Sequence, residues 1–373
     1  MDNSLKISVV IPTRNRPEDL ADLLSTLLNQ DHLPLEVLII DDSEEDSTKR
    51  VTDLFKPDFE AVGCKLKYVK GNCDGLPAAR NLGVKISRGD LILFLDDDIL
   101  LLDKNTIKSI VTFFEKNPKA LGVQPKVLSP TIHRKQNGMQ IRFKNYASKL
   151  LMLTYRAKNK QKVRKSGTDI FPNGLTKAIN VQRLSGCCFC FKREVFKSLK
   201  FDENLKRWGF MEDLDFSYRV YKKYPQSLYL IPNAKVIHKA SKKGRLPPKL
   251  RTHMIIIYWF YVFFKEIFED SVLNLLAFLW ALTGNLIATI GSLIIKRKQK
   301  REWWKLIYML EAYTLAFKNL KKILSLDLYF FNKQLCMNKE INSKATKPST
   351  NTNPRKGNRD SKITTAERFF CRL

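Results

Sequence analysis

A short apolar segment that ends in three consecutive aspartates limits most strongly what this chain can fold into. Residues 91–95 are all apolar, and Asp96, Asp97 and Asp98 follow them directly. Such a run is typical of a strand that is buried on both faces of a parallel sheet. Open sheets of this kind bind ligands at the edge formed by the carboxyl ends of their strands. We therefore expect the aspartates at the ligand-binding edge of a sheet.

The three aspartates carry like charges that repel one another at neutral pH unless a cation or hydrogen-bond donors compensate them. Because side chains alternate along a strand, Asp96 and Asp98 are expected to face the same way. Carboxylate oxygens suit Mg²⁺ or Mn²⁺, which could hold a substrate diphosphate. The alternative is a solvated acidic turn that caps the next helix. The surrounding motifs decide between these interpretations.

The N-terminal segment predicts a strand, a turn and a helix. Residues 7–11 predict a buried strand, and Pro12, Thr13 and Arg14 begin the turn after it. The helix is expected to start near Pro17, since proline is favoured at the first helical position. This turn could meet the base and ribose of a nucleotide bound at the sheet edge.

Two further strands are predicted at 36–40 and, more weakly, at 65–69. Asp41 and Asp42 end the first of them, and Arg80 lies on a predicted helix before the aspartate strand. Strands that alternate with helices predict an α/β fold with a parallel sheet. At one edge of that sheet, a carboxylate could accept a hydrogen bond from a base and Arg80 could offset diphosphate charge. Taken singly, the aspartates could equally cap a helix and Arg80 could be solvated.

The composition of the chain further limits the classes of function that it can have. The net charge of +29 indicates an anionic partner, which could be nucleic acid, an acidic membrane surface or a phosphate-bearing substrate. The sequence contains neither a glycine-rich dinucleotide fingerprint nor a phosphate-loop pattern. Its seven cysteines have no paired two-residue spacing, so neither a zinc site nor a disulfide framework is predicted. The first residues lead directly into a strand without a signal-peptide layout, which predicts a cytoplasmic first domain.

A second acidic pair lies in the other half of the chain. Glu212 and Asp213 follow a glycine-aromatic turn and begin a predicted helix. The N-terminus of a helix favours an ionised carboxylate, which suits a general base. The alternative is an ordinary helix cap. Between the two acidic clusters, residues 130–180 are basic and are expected to be irregular, either as a loop near anionic lipid or as a solvated insert, and 181–191 predict a strand.

The motifs at 8–16, 40–43, 79–83 and 94–98 resemble, in order and spacing, those of family 2 glycosyltransferases with the GT-A fold. That fold has a Rossmann-like, mostly parallel sheet flanked by helices. The resemblance implies inverting transfer of a sugar from a nucleoside-diphosphate sugar. It also implies that the aspartate motif holds a divalent metal ion, Mn²⁺ or Mg²⁺, against the diphosphate.

The resemblance assigns roles to individual residues. Asp41 or Asp42 would contact the base, and Arg80 would line the nucleotide. Asp213 would be the general base, with Glu212 assisting it or holding acceptor hydroxyls. A histidine after a late strand completes the metal site in many relatives, which makes His238 a candidate third ligand beside Asp96 and Asp98. The residues expected to contact the donor are Pro12, Thr13, Arg14, Asp41, Asp42, Arg80, Asp96 and Asp97.

The C-terminal part predicts membrane association. Residues 272–295 carry no charge, and as a helix they would extend about 36 Å, enough to cross a hydrocarbon core of roughly 30 Å. A single crossing would place the basic cluster at 296–301 outside, against the positive-inside rule. A hairpin or re-entrant pair of 254–268 with 272–295, or a helix embedded from one side, keeps both flanks cytoplasmic and is slightly favoured.

The sequence thus predicts a GT-A catalytic domain at 1–250, a membrane-associated helical region at 251–335 and a basic, disordered tail at 336–373. We expect a metal-dependent inverting glycosyltransferase on the cytoplasmic side of an anionic membrane surface. Its acceptor would be a glycan or a lipid-linked molecule, and no nucleic-acid partner is expected. The alternative is a catalytically inactive GT-A-like module that binds nucleotide or acts as a scaffold at the membrane.

Overall fold

The computed structural model describes residues 4–128, 138–295 and 302–335. These described residues form one compact unit. The basic cluster predicted at 296–301 and the tail predicted at 336–373 lie outside the described residues.

A large mixed sheet forms the centre of this unit. Its strands lie in the order β10-β12-β6-β11-β4-β1-β2-β3, and β5 pairs with β12. The strands β7, β9 and β8 form a separate small sheet. The strands are β1 (Ile7–Thr13), β2 (Glu36–Asp41), β3 (Lys65–Lys70), β4 (Leu91–Leu95), β5 (Ile99–Leu101), β6 (Gly122–Leu128), β7 (Tyr155–Lys158), β8 (Lys162–Val163), β9 (Asp169–Asn173), β10 (Ile179–Asn180), β11 (Cys188–Lys192) and β12 (Leu228–His238).

Helices cover the sheet and extend the chain beyond it. The helices are α1 (Pro17–Leu28), α2 (Ser47–Ala61), α3 (Leu76–Ile86), α4 (Thr106–Lys116), α5 (Gly138–Leu150), α6 (Glu212–Lys223), α7 (Pro248–Val262), α8 (Val272–Ile295), α9 (Trp304–Lys318) and α10 (Leu320–Leu324). A 3-10 turn follows β11 at Arg193–Lys197, and a π-helical turn follows α7 at Phe263–Ile267.

The strand β4 shows why the sheet forms here. Leu91, Leu93 and Leu95 belong to the core on one face of the sheet, whereas Ile92 and Phe94 belong to the core on the other face. Both sets are fully buried, as expected for a strand that is covered on both sides. Four strand pairs of the sheet are parallel, namely β1–β2, β2–β3, β1–β4 and β6–β12. Between β4 and β6 lies β11, which is antiparallel to both. The predicted α/β fold with a mostly parallel sheet is confirmed.

The insert at 130–180 differs from the expectation. Its described part contains the helix α5 and the small sheet of β7, β8 and β9. The strand predicted over 181–191 is also shorter, since only Cys188–Lys192 pairs in the sheet. Residues 181–187 form a loop instead. The carbonyl of Gly186 in this loop binds the buried Arg80, and the buried Arg183 binds Asp213 of α6. These contacts replace strand pairing.

The apolar segment at 254–268 is covered by the protein itself. Most side chains of α7 from Met254 onward are buried in one cluster with α8 and α9. This burial argues against a membrane hairpin that pairs 254–268 with 272–295, because few apolar side chains of the first segment remain for lipid. Among the described residues, one helix, Val272–Ile294, is long and apolar enough to cross a membrane.

Candidate active site

Asp96, Asp98 and His238 come together at the carboxyl end of β4. Each offers one ligand atom, and these atoms lie within 4.8 Å of one another. The two aspartates follow β4, whereas His238 is the last residue of β12 and pairs with Ile99 of β5. The Nε2 atom of His238 lies 3.2 Å from Oδ1 of Asp98. The three predicted metal ligands therefore form one cluster.

The donor set of this cluster fits a divalent metal ion. Carboxylates are the hard ligands that Mn²⁺ and Mg²⁺ prefer. The Oδ1 atom of Asp98 is buried and has no hydrogen bond of good geometry to the described residues, so it retains lone pairs for an ion. Burial raises the pKa of Asp98, but His238 and the backbone N–H of Ser241 outweigh it, and the net pKa is lowered. Asp98 is thus ionised at neutral pH, as a metal ligand must be.

Asp97 points into the protein and not toward a ligand. Its Oδ2 atom accepts a hydrogen bond of 2.8 Å from Thr13, and its Oδ1 atom accepts one of 2.9 Å from Arg16. Burial raises the pKa of Asp97 to about 7, against the opposite effect of Arg16. Direct contact between Asp97 and the donor is therefore not supported, because both carboxylate oxygens are already bound. Asp97 joins the turn after β1 to the aspartate motif, and Arg16 is a residue that the site prediction missed.

Pro12, Thr13 and Arg14 lie at the carboxyl end of β1, but the strand extends to Thr13, so only Arg14 lies in the turn where all three were predicted. Pro12 and Thr13 are buried residues of the strand. Arg14 follows and lies 3.1 Å from Glu44, in an ion pair whose side chains are 29% and 44% exposed. Exposed pairs of this kind are weak, so Arg14 is free to turn toward a nucleotide.

Asp41 is buried at the end of β2, paired in register with Thr13 of β1. Its Oδ1 atom accepts a hydrogen bond from the backbone N–H of Ser43 at 2.8 Å. Its Oδ2 atom accepts one from the Tyr68 hydroxyl at 2.9 Å. Both carboxylate oxygens of Asp41 are therefore occupied by hydrogen bonds within the sheet edge.

Asp42 lies one residue further along, beyond the end of the strand. Its carboxylate accepts hydrogen bonds from the backbone N–H groups of Cys73 at 3.0 Å and Gly75 at 3.2 Å. Burial raises the pKa of Asp42 although these bonds oppose the shift. Asp42 therefore fixes the loop before α3 at the edge where β1 and β2 end.

Arg80 corrects the sequence prediction. Its guanidinium is fully buried, so it cannot line a nucleotide directly. It donates hydrogen bonds to Glu212, to Asp96 at 3.1 Å and to the carbonyl of Gly186 at 2.7 Å. Its central carbon lies 4.9 Å from the ring centroid of Phe189. Arg80 positions the acids around it and compensates their charge.

Glu212 and Asp213 begin α6, as predicted, after a turn in which Gly209 and Met211 adopt positive φ. Glu212 is buried and bound to Arg80, and burial raises its pKa to about 8. This burial does not support a direct contact of Glu212 with acceptor hydroxyls. The side chain of Asp213 is 17% exposed, so it is the member of the pair that reaches the surface.

A second arginine, which the sequence analysis missed, holds Asp213. Arg183 donates a hydrogen bond of 2.5 Å to Oδ2 of Asp213, and the backbone N–H of Gly186 donates another of 2.9 Å. Arg183 also binds Asp169 of β9. Burial raises the pKa of Asp169 to about 6 despite this arginine. No motif identifies Arg183 or Asp169, because their partnership is visible only in three dimensions.

These contacts form one continuous network. Asp96 of the metal cluster and Glu212 of the α6 pair bind the same guanidinium of Arg80. Asp213 is the neighbour of Glu212 and binds the loop at Gly186, whose carbonyl also binds Arg80. The acids predicted for metal binding and for proton transfer therefore lie around a single site.

Comparison with known proteins identifies the family. The model of glycosyl transferase family 2 matches residues 8–200. This match covers more than half of the chain and includes both β1 and the aspartate motif. The chain belongs to glycosyl transferase family 2.

Relatives of this family 2 chain align with about a third of it. An uncharacterized glycosyltransferase of Rickettsia conorii is 38% identical over 115 residues, which are 31% of this chain and 18% of the relative. A glucosyl-dolichyl phosphate glucuronosyltransferase of Haloferax volcanii is 29% identical over 133 residues, which are 35% of this chain and 41% of the relative. The aligned part thus covers less than a fifth of the rickettsial relative and less than half of the other.

Solved structures confirm the GT-A fold expected of this family 2 chain. The mannosyltransferase PcManGT of Pyrobaculum calidifontis, solved in complex with GDP-Man and Mn²⁺, superposes with a TM-score of 0.51 at 16% identity. The similarity covers 86% of this chain and 88% of that protein. At this identity the likeness concerns the fold.

Proposed function

We propose that the protein transfers a sugar, with inversion, from a nucleoside-diphosphate sugar to a hydroxyl or lipid-phosphate acceptor at a membrane. The observation that carries this proposal is the network in which Arg80 binds Asp96, Glu212 and the carbonyl of Gly186, whose N–H binds Asp213. It unites a carboxylate cluster suited to a donor diphosphate with a carboxylate suited to an acceptor proton. An inactive binding module would not need both.

Asp213 is the proposed general base. It lies at the N-terminus of α6, where the helix dipole favours an ionised carboxylate. Hydrogen bonds from Arg183 and Gly186 fix its orientation. The acceptor hydroxyl gives its proton to Asp213 as its oxygen bonds to the anomeric carbon, and the bond from that carbon to the diphosphate oxygen breaks on the opposite face. This geometry inverts the configuration.

Asp96, Asp98 and His238 are proposed to hold Mn²⁺ or Mg²⁺. When bound, such an ion neutralises the charge of the departing diphosphate. The PcManGT structure contains Mn²⁺ with a nucleotide sugar, which supports a divalent ion in this fold. Asp41 or Asp42 is the proposed contact for the base, and their contacts favour neither, since each carboxylate accepts two hydrogen bonds at the sheet edge.

A membrane location for the acceptor is supported by two observations. The helix α8 carries no charge and is mostly apolar. The name of the Haloferax relative specifies a dolichyl-phosphate-linked substrate. Because nucleotide sugars are cytoplasmic, we place the catalytic part on the cytoplasmic side. A glycan acceptor remains the alternative to a lipid-linked one.

The test measures release of labelled sugar from a panel of nucleotide sugars, with and without Mn²⁺. The wild-type protein is expected to transfer or hydrolyse at least one donor, and Asp213→Asn is expected to lose 10²-fold or more of this rate. Nucleotide binding, measured by calorimetry, should persist in the variant. Asp98→Asn should instead lose the stabilisation by Mn²⁺ in a thermal shift assay.

A matched control is Asp58→Asn, a change of an exposed aspartate on α2 that takes part in none of the site contacts described above. It should leave turnover unchanged. Binding of nucleotide without any turnover by the wild-type protein would favour the inactive module. Equal turnover by the wild-type protein and Asp213→Asn would remove Asp213 from its proposed role.

A further inference from the structure

The helix α8 lies along the protein and does not project from it. Phe278, Ala281 and Leu282 on its inner side are buried in the cluster that contains α7 and α9, and Leu293 on the same side is also buried. The Nδ2 atom of Asn285 donates a hydrogen bond of 3.0 Å to the hydroxyl of Tyr313 on α9. Phe278, Ala281, Asn285 and Leu293 follow one another at spacings of three, four and eight residues, which places their side chains on one side of the helix. One side of α8 is therefore held by the protein over most of its length.

The opposite side of α8 is apolar and exposed. Val272, Leu276, Trp280, Ile287 and Ile294 are between 47% and 68% exposed. They recur at helical spacing and form a second stripe. Contiguous exposed apolar surfaces of this kind are rare on soluble proteins and mark sites of interaction with proteins or membranes.

The helix α5 adds a second exposed stripe. Met139, Phe143, Tyr146 and Leu150 are between 63% and 78% exposed, and their spacing of four, three and four residues places them on one side. We call this stripe and the exposed stripe of α8 the apolar face.

The two stripes of the apolar face adjoin each other. The Nε1 atom of Trp280 donates a hydrogen bond of 2.9 Å to the carbonyl of Leu150. A Cβ atom at Gly284 would lie only 2.6 Å from the carbonyl oxygen of Leu151, so glycine permits this close approach. The end of α5 thus lies against the middle of α8.

Positive charges border the apolar face. Arg142, Lys144 and Lys149 on α5 are exposed beside its apolar stripe. The sequence as a whole carries a net charge of +29. A surface that combines exposed aromatic and aliphatic side chains with bordering lysines and arginines complements an anionic lipid surface.

A membrane-crossing orientation of α8 conflicts with its neighbours. Lys149 precedes Leu150, which contacts the middle of α8 at Trp280. On the other flank, Glu311 pairs with Lys249 at 2.8 Å, and it is two residues from Tyr313, which contacts α8 at Asn285. If α8 crossed the bilayer, these charges would lie at the depth of the hydrocarbon core, where they are costly.

We infer that α5 and α8 together attach the protein to one leaflet of an anionic membrane, with α8 embedded from one side and parallel to the surface. The exposed stripes face the acyl chains, and the α5 cations contact the lipid phosphates. This attachment is independent of the proposed enzymatic activity, because none of its residues belongs to the active site.

The first test is sedimentation of the full-length protein with vesicles of phosphatidylcholine, with or without phosphatidylglycerol. The wild-type protein should bind the anionic vesicles more tightly. The double change Met139→Glu and Phe143→Glu should weaken this binding about tenfold or more, as should Lys144→Gln with Lys149→Gln. The matched control is Leu54→Glu on α2, where Leu54 is 74% exposed but outside the apolar face, and it should bind like the wild type.

Two outcomes of this test would overturn the inference. One is equal binding by the Met139→Glu, Phe143→Glu variant and the Leu54→Glu control. The other is that the wild-type protein does not bind vesicles but forms a dimer, and that light scattering shows the Phe143→Glu variant to be a monomer. In that case the apolar face would bind a second copy. Thermal unfolding of the same variants, followed by circular dichroism, is expected to match that of the wild type and shows that each one is folded.

The second test separates one-sided attachment from crossing. Single cysteines replace Asp270 and Ser292, which are exposed near the two ends of α8. The background carries serine at Cys73, which is partly exposed, and at positions 336 and 371. In sealed inside-out membrane vesicles, an impermeant maleimide should label both positions before detergent is added. Labelling of only one position until detergent opens the vesicles would show that α8 crosses.

Discussion

The residue that connects the two halves of the active site is a fully buried arginine. The guanidinium of Arg80 binds Asp96, Glu212 and a backbone carbonyl, and it stacks against Phe189. Burying a charge without partners is costly, whereas here the guanidinium has three hydrogen-bond acceptors, of which Asp96 lies at 3.1 Å. Arg80 was predicted to line the nucleotide because its partners, 16 and 132 residues away in sequence, are not apparent from any local pattern.

Replacement of Arg80 tests this compensation. Arg80→Met removes the cation that binds the buried Glu212 and the partly exposed Asp96, and we expect it to lower the free energy of unfolding by about 3–5 kcal/mol. Denaturation in urea measures the change. The matched control is Arg88→Met, since the Arg88 side chain is 62% exposed in its ion pair with Glu36, and it should cost at most about 1 kcal/mol. Equal losses in the two variants would contradict the role of Arg80.

Glu212 provides a pH-dependent test. Burial raises its pKa to about 8 in the folded protein, whereas a carboxyl in the unfolded chain titrates near 4.3. Between these values the folded state retains a proton that the unfolded state has lost, so stability falls as pH rises, by at most about 1.4 kcal/mol per pH unit for this group.

We expect Glu212→Gln to reduce the loss of stability between pH 5 and pH 8, because glutamine does not titrate. The measurement is a series of urea denaturation curves across this range. The control is Glu194→Gln, whose parent side chain is 58% exposed. A slope that is the same in wild type and Glu212→Gln would show that Glu212 is ionised in the folded protein at neutral pH.

At the scale of elements, the loop between β10 and β11 positions active-site residues in a region where the sequence predicts a strand. Arg183 and Gly186 of this loop hold Asp213 at the start of α6. The prediction of strand β4 and its aspartates succeeded because an uninterrupted apolar run and the charges that follow it are local signals. The loop could not be predicted, since its conformation depends on Asp169 and Asp213, which lie on other elements.

Gly186 tests the positioning role of this loop. A Cβ atom there would lie 2.7 Å from Oε1 of Glu212 and 3.1 Å from Cβ of Asp213. Gly186→Ala should therefore displace the general base and lower kcat about 10²-fold, while the affinity for the nucleotide changes little. Gly291→Ala is the matched control, because a Cβ atom at Gly291 meets no atom within 4 Å. A full kcat in Gly186→Ala would argue against precise positioning by this loop.

At the scale of the whole molecule, the sequence predicts the sheet well and the C-terminal helices less well. The buried strands are apolar runs with a single interpretation, whereas an apolar helix can face protein or lipid. The segment 254–268 and the helix α8 are similarly apolar, yet the first is buried in protein and the second is exposed along one side. The insert at 130–180 was expected to be irregular because the apolar stripe of α5 is embedded among basic residues.

The predicted domain boundary at 250 leads to a further test. Lys265, beyond this boundary, lies 2.6 Å from both Asp202 and Asp215, and Asp215 is fully buried. The side chains of Leu205 and Leu214 belong to the same core cluster as α7. A chain that ends at residue 250 would expose this cluster and leave Asp215 without one of its two cations.

We therefore expect a protein of residues 1–250 to be insoluble or to unfold without cooperativity, since both an apolar surface and an incompletely paired buried carboxylate would remain. A protein of residues 1–335 retains every described contact of this cluster and should unfold in one cooperative transition close to that of the full chain. Differential scanning calorimetry measures both. If the shorter protein unfolded cooperatively at the same temperature as the longer one, the catalytic part would be an independent domain, and the helices α7 to α10 would contribute nothing to its stability.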